Sequence, residues 1–344
     1  MRHTVIAVSL LALLALVGVR AANTLDVYFI DTEGGQATLL VAPSGDTMLI
    51  DIGFAGLDTN NPDKEVGRDA GRIVAAAALA NVKKIDVFMP THFHGDHVGG
   101  VANLPEKLPI GMFVDDGPSV QEVIPLKQKV GEYSEIYAAA FAKGQHRVVK
   151  AGDKIPVKGL DVTVVAANGN AIATNGEPNP FCAGLEPRQG GNPEDTESLG
   201  VVVQYGRFRL ANFGDMPWSK ELEYLCPENH FGKVDVYQAR HGGEPSKAIY
   251  AMVPRITVMP NGPRKGGGPA AMKTFMASPG FEDVYALHFN VPGGAEGNPP
   301  DANIANPEEQ GDHGFYLKLS ANEDGSFTMY NPRTNTTKKY AARK

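Results

Sequence analysis

The sequence predicts an α/β fold in which two β-sheets pack against each other and helices cover their outer faces. Near the N-terminus, a helix-forming stretch stands between strand-like runs and leads into the buried run 85–89. Later in the chain, Tyr205-Gly206 and Asp324-Gly325 each separate two apolar runs and indicate hairpins. Strands and helices that alternate in the middle, with hairpins at the edges, favour a two-sheet core faced by helices.

The first third of the chain is expected to supply four strands and one helix. The strands are predicted at 27–31, 36–41, 48–53 and 85–89. The helix is predicted from Arg68 to Asn81, because Ile73, Ala77 and Ala80 fall on one face. This helix leads into the fourth strand, so the segment after Met89 should lie at the carboxyl end of a strand, where ligands usually bind.

The remaining elements follow from the same patterns. Apolar residues recur at helical spacing between 120 and 141 and predict a helix that faces the core. A segment rich in glycine, asparagine and proline runs from 168 to 193 and is expected to be a long loop. Further strands are predicted at 160–165, 199–204, 207–211, 256–259, 315–319 and 326–330.

The N-terminal segment and the net charge limit the classes of protein to which this chain could belong. An apolar run at 5–19 is short for a transmembrane helix, and small residues follow it, so residues 1–22 are expected to be a cleaved secretory signal. An uncleaved anchor is the alternative. A single domain at 23–344 with a C-terminal strand extension would then be periplasmic or secreted. The net charge of −7 argues against a stable nucleic-acid complex, and no membrane association is expected after cleavage.

The two cysteines, Cys182 and Cys226, both lie in loop-like sequence beside prolines. In an oxidising compartment they could pair, and closing a loop of that length would stabilise the fold by about 3–4 kcal/mol in the chain-entropy model. Two free thiols are the alternative.

A cluster of metal-ligating residues follows the strand at 85–89. Residues 91–97 read THFHGDH, with three imidazoles and one carboxylate. On extended backbone His92 and His94 point the same way and could chelate one ion, while Asp96 and His97 could face a second. Imidazole and carboxylate together suit zinc, with manganese or iron as substitutes. Without a metal this cluster would bury uncompensated polar groups, so the sequence predicts a centre for two ions.

The motif resembles the His-x-His-x-Asp-His signature of the metallo-β-lactamase superfamily, and the three opening strands resemble those of that fold. The resemblance implies a four-layer αββα sandwich with its site along one edge between the sheets. It also implies that Asp51 braces the histidine loop, that Asp215 bridges the two ions, and that His241 binds the second. The nearest branch is similar to the secreted and DNA-uptake (ComEC-type) enzymes, whose Asn-Gly-Pro-Arg-Lys-Gly-Gly-like loop matches 261–267.

Two positions depart from the family pattern. Members with a full metal set carry a third histidine for the first ion, where this chain has PEDTES at 193–198. Asp195 is expected to take its place, with Glu197 as second choice and a weak or empty first site as a further alternative. Where the branch usually has two adjacent histidines, Gly242 follows His241, so one proton carrier is absent. The expected ligands are His92, His94, Asp96, His97, Asp195, Asp215 and His241.

Other residues are expected to act on the substrate. Asp96 should also orient the nucleophile. His288 ends a predicted strand where the family often has a site histidine, and it could donate a proton to a leaving group; a core or surface histidine is the alternative. Arg264 and Lys265, in the glycine-rich loop, could bind a substrate phosphate or carboxylate, or could be solvated charges. The loop at 168–193 is expected to cover one side of the site.

The expected function is that of an exported metal-dependent hydrolase, in which two ions share Asp215 and a hydroxide that attacks a carbonyl or phosphoryl centre. A phosphodiester or related ester, or another small molecule, is the expected substrate. β-Lactamase or lactonase activity is an alternative, and a flavodiiron-type oxygen reductase is disfavoured because no flavin domain follows. A non-catalytic exported protein with a vestigial metal site is the alternative of a different class. No partner protein is inferred.

Overall fold

The computed structural model describes residues 23–56, 67–120, 130–188, 191–310 and 313–344. The expected signal at 1–22 and part of the helix expected at 120–141 lie outside the described residues. The strands are β1 (Leu25–Phe29), β2 (Thr38–Val41), β3 (Thr47–Ile50), β4 (Ile85–Met89), β5 (Ile110–Asp115), β6 (Gln145–Val148), β7 (Lys154–Ile155), β8 (Asp161–Ala167), β9 (Asn170–Ala171), β10 (Glu177–Pro178), β11 (Gly200–Tyr205), β12 (Phe208–Asn212), β13 (Glu228–Asn229), β14 (Val236–Gln238), β15 (Ile256–Met259), β16 (Asp283–His288), β17 (Ile304–Asn306), β18 (Leu317–Ala321), β19 (Phe327–Asn331) and β20 (Thr336–Tyr340).

Helices stand between these strands. The α-helices are α1 (Arg68–Leu79), α2 (Gly95–Val98), α3 (Val130–Phe141), α4 (Pro193–Thr196), α5 (Trp218–Leu225) and α6 (Pro269–Met276). Short 3₁₀-helices are formed by Gly99–Ala102, Lys247–Met252, Gly294–Gly297 and Asp301–Asn303. Across the described part of the chain, no helix is both long enough and apolar enough to span a membrane.

Two large sheets form the centre of the fold. Among the described residues, the first has the strand order β20-β19-β18-β1-β2-β3-β4-β5-β6, and the second has the order β17-β16-β15-β14-β12-β11-β8-β7 with β9 beside β8. From β3 to β6 the first sheet is parallel, and so is the second from β12 to β17. The remaining pairs in both sheets are antiparallel.

The alternation of buried residues along the strands produces the four layers. In β1, Val27 belongs to the core between the two sheets, whereas Tyr28 belongs to the core under α1 and α3. In β11, Val203 faces the other sheet and Val202 faces the side of α5 and α6. Side chains two apart share a face of a strand, so each sheet buries one face on the other sheet and one on helices. The predicted αββα sandwich is confirmed.

Most predicted elements are found with small shifts of their ends. Helix α1 ends two residues before the predicted Asn81, and β4 has the predicted bounds. Both hairpins are present, as β11 with β12 and as β18 with β19. The expected long loop contains the short strands β9 and β10, the latter paired with β13. A disulfide joins Cys182 in this loop to Cys226 after α5, as predicted.

Candidate metal centre

The centre lies where several strands end at one edge of the sandwich. The histidine motif follows β4, Asp215 follows β12, and His241 follows β14. These strands are parallel members of their sheets, so their carboxyl ends open onto the same edge. Helix α4 precedes β11, which is antiparallel to β12, and Asp195 therefore enters the centre at the amino end of its strand.

The first ligand group consists of His92, His94 and Asp195. His92 Nε2 lies 2.8 Å from His94 Nδ1, and Asp195 Oδ1 lies 3.0 Å from His94 Nδ1 and 3.6 Å from His92 Nε2. The side chains of His94 and Asp195 are 19% and 21% exposed, the largest fractions among the seven ligands. Solvent therefore reaches the centre from this side. Glu197, the second choice for the third ligand, belongs to no ligand group of the described residues.

The second ligand group consists of Asp96, His97 and His241. Asp96 Oδ2 lies 3.3 Å from His241 Nε2 and 3.8 Å from His97 Nε2. All three side chains are largely removed from solvent. A single imidazole from the segment after β14 thus completes this group, and Gly242 leaves the space beside it open, since no atom lies within 4 Å of where a Cβ would stand.

Asp215 lies between the two groups. Its Oδ2 is 2.6 Å from His241 Nε2 and 3.7 Å from His97 Nε2, and with His92 and His97 it forms a third group of ligand atoms within 4.8 Å of one another. The turn that bears it packs directly on the histidine loop: Gly214 has φ 56°, and a Cβ there would lie 2.6 Å from Thr91 Cβ. Only glycine fits this approach.

Two buried ligand atoms in the centre have no hydrogen bond. Within the described residues, His97 Nε2 and Asp215 Oδ1 have no hydrogen-bond partner. Buried polar atoms are almost always paired, and imidazole nitrogens with carboxylate oxygens are the ligands of zinc and related ions. The residues present therefore fit the metal ions that the fold implies.

The charges in the centre also favour cations. Burial alone would lower the pKa of His97, but the carboxylates of Asp51, Asp96 and Asp215 outweigh it and raise that pKa well above its usual value. Burial, together with the charge of His97, instead holds the pKa of His92 well below its usual value. The carboxylates around His97 therefore create a negative potential that favours a bound cation.

Asp51 braces the histidine loop, as predicted. It is fully buried and accepts hydrogen bonds from Thr91 N at 2.6 Å, Thr91 Oγ1 at 2.9 Å and His97 Nδ1 at 2.8 Å. Because a carboxylate only accepts, the Nδ1 atom of His97 carries a proton and Nε2 is left to face the other ligands.

Two sets of positioning residues were not predicted. Glu194 is buried and accepts hydrogen bonds from the backbone N–H of Phe93 and from Ser119. An amide network buried between the sheets holds the turn before Asp215. In it Gln36 donates to Asn212, Asn212 and Thr38 donate to Gln238, and Asn212 accepts from Gly214 N. Asn192 followed by Pro193 is a sequence signal for the start of α4. Which acid of the segment 193–198 points into the protein depends on packing and could not be predicted from that signal.

The two cations of the glycine-rich loop have different surroundings. Lys265 Nζ pairs with Asp96 Oδ2 and lies over the ring of Phe54. Arg264 pairs with Glu309, and its side chain is mostly exposed. The loop packs on the second ligand group, because Gly267 N donates to His241 O at 3.1 Å. Lys265, unlike Arg264, is therefore in direct contact with a candidate ligand.

His288 lies at the end of β16 and is buried. Its Nε2 hydrogen-bonds to Asp31 Oδ1 at 2.7 Å, and Asp31 in turn pairs with Arg72. Nδ1 of His288 is buried without a hydrogen-bond partner among the described residues. The ligand groups in that part of the chain do not include His288.

The long loop lies beside the centre at its C-terminal end. Gly191 lies against Pro217, two residues after Asp215. Arg188 stacks on Trp218 at 3.5 Å and pairs with Glu244 at 3.0 Å. The loop is thereby attached to both segments that follow Asp215 and His241, in addition to its disulfide.

A comparison with known protein families finds a match to part of the chain. A sequence model of the metallo-beta-lactamase superfamily matches residues 31–117, which include Asp51 and the histidine motif. No curated protein matches the chain in sequence.

Three solved structures that resemble the chain are described here. One is a Cronobacter sakazakii metallo-β-lactamase, HARLDQ motif mutant S60, at 12% identity over 62% of this chain and 74% of that one, with TM-score 0.39. MEM-A1, a subclass B3 metallo-β-lactamase from a soil metagenome library, has 12% identity over 62% and 76%, with TM-score 0.37. The metallo-β-lactamase fold protein YhfI from Bacillus subtilis has 9% identity over 76% and 95%, with TM-score 0.45. The superfamily match and the αββα architecture together show that this chain has the metallo-β-lactamase superfamily fold.

Proposed function

We propose that this chain is an exported, metal-dependent hydrolase that cleaves phosphodiesters or related anionic esters, in the manner of the ComEC-type branch. The observation that supports it is the overlap of three ligand groups. His92 is shared by the first and the bridging group, and His97 by the bridging and the second, so the groups form one continuous centre around Asp215. Such an arrangement suits two neighbouring ions, for which zinc is the proposed identity and manganese or iron the substitutes.

Bound ions would supply a Lewis acid and lower the pKa of a bound water to about 7. The chain's own residues hold and orient the reacting groups. Asp51 keeps the proton of His97 on Nδ1, and Asp215 contacts both His97 and His241. Asp96 contacts His241 and Lys265, and it is proposed to orient a nucleophile at the second group. His288 is the proposed proton carrier, with Asp31 holding its other nitrogen.

Charge favours an anionic substrate. Asp96, Asp195 and Asp215 bring three negative charges to the centre, and two divalent ions would bring four positive ones. A bound hydroxide would offset the remaining positive charge, and the ammonium of Lys265 then leaves about one positive charge at the edge of the loaded centre. A phosphodiester anion is attracted to such a site, whereas a neutral lactam or lactone ring gains less from it.

A substrate screen tests the proposal. The mature protein, loaded with zinc or manganese, is assayed against bis-p-nitrophenyl phosphate, single-stranded DNA, nitrocefin and a lactone, and its metal content is measured by elemental analysis. We expect two ions per chain and the highest rate on a phosphodiester. Hydrolysis of nitrocefin or the lactone alone would contradict the substrate class, and a chain that binds no metal would contradict the proposal itself.

Variants of the ligands test the centre. His92→Ala and Asp215→Ala each remove a shared ligand, so we expect at least one ion to be lost and hydrolysis to fall at least 100-fold. Asp235→Asn is a matched control, because Asp235 is buried at the amino end of β14, the opposite end from His241. Unchanged hydrolysis in either ligand variant would contradict the assignment. N-terminal sequencing of protein recovered from the periplasm tests export and cleavage near residue 22.

A further inference from the structure

A buried glutamate connects the two sides of the first ligand group. Glu194 is 3% exposed. Its Oε1 accepts a hydrogen bond from the backbone N–H of Phe93 at 3.0 Å, and its Oε2 accepts one from Ser119 Oγ at 2.6 Å. The two carboxylate oxygens therefore bind two separate segments, the histidine loop after β4 and the loop after β5.

The position of Glu194 in the chain gives these bonds their significance. Phe93 lies between His92 and His94, and Glu194 directly precedes Asp195. Helix α4 has a single turn, in which Asn192 Oδ1 accepts from Glu194 N. Beyond it, Leu199 N donates to Thr91 O at 2.7 Å. Two hydrogen bonds therefore attach the segment around Asp195 to the histidine loop. One joins the Glu194 side chain to Phe93 N, and the other joins Leu199 N to Thr91 O.

We propose that Glu194 is a positioning residue for the first ion, which it serves by fixing the backbone between His92 and His94 relative to Asp195. This inference rests on the proposed function, because it assumes that the first group binds metal. A short helix of four residues has little stability of its own, so its side chains are placed by tertiary contacts. Without the acceptor, the buried N–H of Phe93 would be unpaired and the loop would shift to reach another partner.

Glu197 provides the matched comparison. It lies three residues after Glu194 and two after Asp195, and it too is an acid. Among the described residues its side chain makes no hydrogen bond to the histidine loop, and its Cγ lies 3.8 Å from where a Cβ of Gly169 would stand. A general effect of negative charge near the first group would be shared by Glu194 and Glu197, whereas an effect of the bond to Phe93 belongs to Glu194 alone.

The experiment compares stepwise metal binding in four proteins by competition with a chromophoric chelator, using zinc alone. Glu194→Met keeps the length and volume of the side chain but removes the acceptor, and Glu194→Gln keeps an acceptor for Phe93 N–H. We expect Glu194→Met to weaken the first ion about 10- to 100-fold, as loss of a supporting hydrogen bond typically does, and to leave the second ion unchanged. Glu194→Gln and Glu197→Met should bind both ions as the wild type does.

Reference variants identify the affected step. His94→Ala removes a ligand of the first group and His241→Ala one of the second, so the step weakened in Glu194→Met should be the one that His94→Ala abolishes. Wild-type binding in Glu194→Met, equal weakening of both ions, or the same loss in Glu197→Met would overturn the inference. If Glu194→Met does not fold, Glu194→Asp replaces it, because a carboxylate shortened by one methylene cannot reach Phe93 and Ser119 together; wild-type binding there would also overturn the inference.

The outcome for the wild type separates this inference from the proposed function. If the wild type binds two ions and hydrolyses a phosphodiester, and Glu194→Met binds both ions with the same affinities, only the proposed role of Glu194 is contradicted. If the wild type binds no ion at the first group, the proposed function fails and the inference falls with it.

Discussion

Replacing Asp51 with asparagine should weaken the second ion while leaving the fold intact. Asp51 has φ 58°, a left-handed conformation that asparagine tolerates well, so the backbone gains no strain. The change replaces Oδ2, which accepts the bonds from Thr91 Oγ1 and His97 Nδ1, with an amide nitrogen, and it keeps Oδ1, which accepts from Thr91 N. The amide oxygen can still accept from Thr91, but the amide nitrogen would then face His97 Nδ1, which carries a proton and cannot accept from it.

The magnitude follows from the proton on His97. To bond with the amide, the imidazole must move its proton to Nε2, the atom that lies 3.8 Å from Asp96 Oδ2 and 3.7 Å from Asp215 Oδ2. That atom would then donate a hydrogen and could not bind a metal. Loss of such a supporting carboxylate typically costs about 10- to 100-fold in metal affinity, which is about 1.4–2.7 kcal/mol of binding free energy.

The assay is a chelator competition that resolves both ions, with the unfolding midpoint of the metal-free protein measured beside it. Asp235→Asn is the control. Asp235 is also buried and accepts a hydrogen bond from Arg209 N at 3.0 Å, so its loss should lower stability by about 1–3 kcal/mol without changing metal affinity. If Asp51→Asn binds both ions as tightly as the wild type, the reasoning about the His97 proton is refuted.

Three further predictions concern other parts of the molecule. Burial raises the pKa of Glu221 to about 7, although the charge of Arg240 and bonds from Ser246 N–H and Tyr237 oppose it. The neutral acid therefore stabilises the fold below pH 4.5, and this advantage fades as the pH rises through 7. Relative to Glu221→Gln, chelator-treated wild type should lose about 3 kcal/mol between pH 4.5 and 8 in urea unfolding; parallel profiles would contradict this. Lys265→Met should raise KM for bis-p-nitrophenyl phosphate about 3- to 10-fold and leave KM for a neutral lactone unchanged; equal effects on both would argue against anion binding. Reduction of the disulfide, which closes a loop with a sequence separation of 44, should lower the free energy of unfolding by about 3–4 kcal/mol, and an unchanged midpoint would show that the bond does not constrain the unfolded chain.

The histidine motif was predictable because its information is local. His92, His94, Asp96 and His97 stand within six positions after a strand, and strand periodicity alone places two side chains on one side. Asp215 and His241 were placed by the order of strands that the superfamily resemblance implies. Both lie in the centre because parallel neighbouring strands end at a common edge.

The third ligand of the first group was expected at Asp195 from the superfamily resemblance, not from a local pattern. The segment 193–198 contains three acids, and no local pattern distinguishes them. In the structure Asp195 faces His92 and His94, Glu194 turns inward to the backbone of Phe93, and Glu197 does neither. Successive side chains of a helical turn point about 100° apart. The segments packed around α4 therefore decide which carboxylate faces the ligands and which accepts a hydrogen bond from the histidine loop.

The roles expected for Arg264, Lys265 and His288 also depended on the tertiary structure. Arg264 and Lys265 are adjacent and chemically alike in sequence, yet Lys265 contacts Asp96 while Arg264 pairs with Glu309. His288 was expected at the end of a strand and is there, but its contact with Asp31 joins residues 257 positions apart, a distance that no local pattern bridges.

The sequence by itself determined the strands, the hairpins, the ligand chemistry at 91–97 and the class of fold, because these depend on periodicity and on side chains close together in the chain. Only the tertiary structure decided which of several equivalent acids and bases enter the centre, and which buried groups support them. Those choices depend on contacts between segments such as β4, α4 and the loop after β5, whose packing is a property of the whole core.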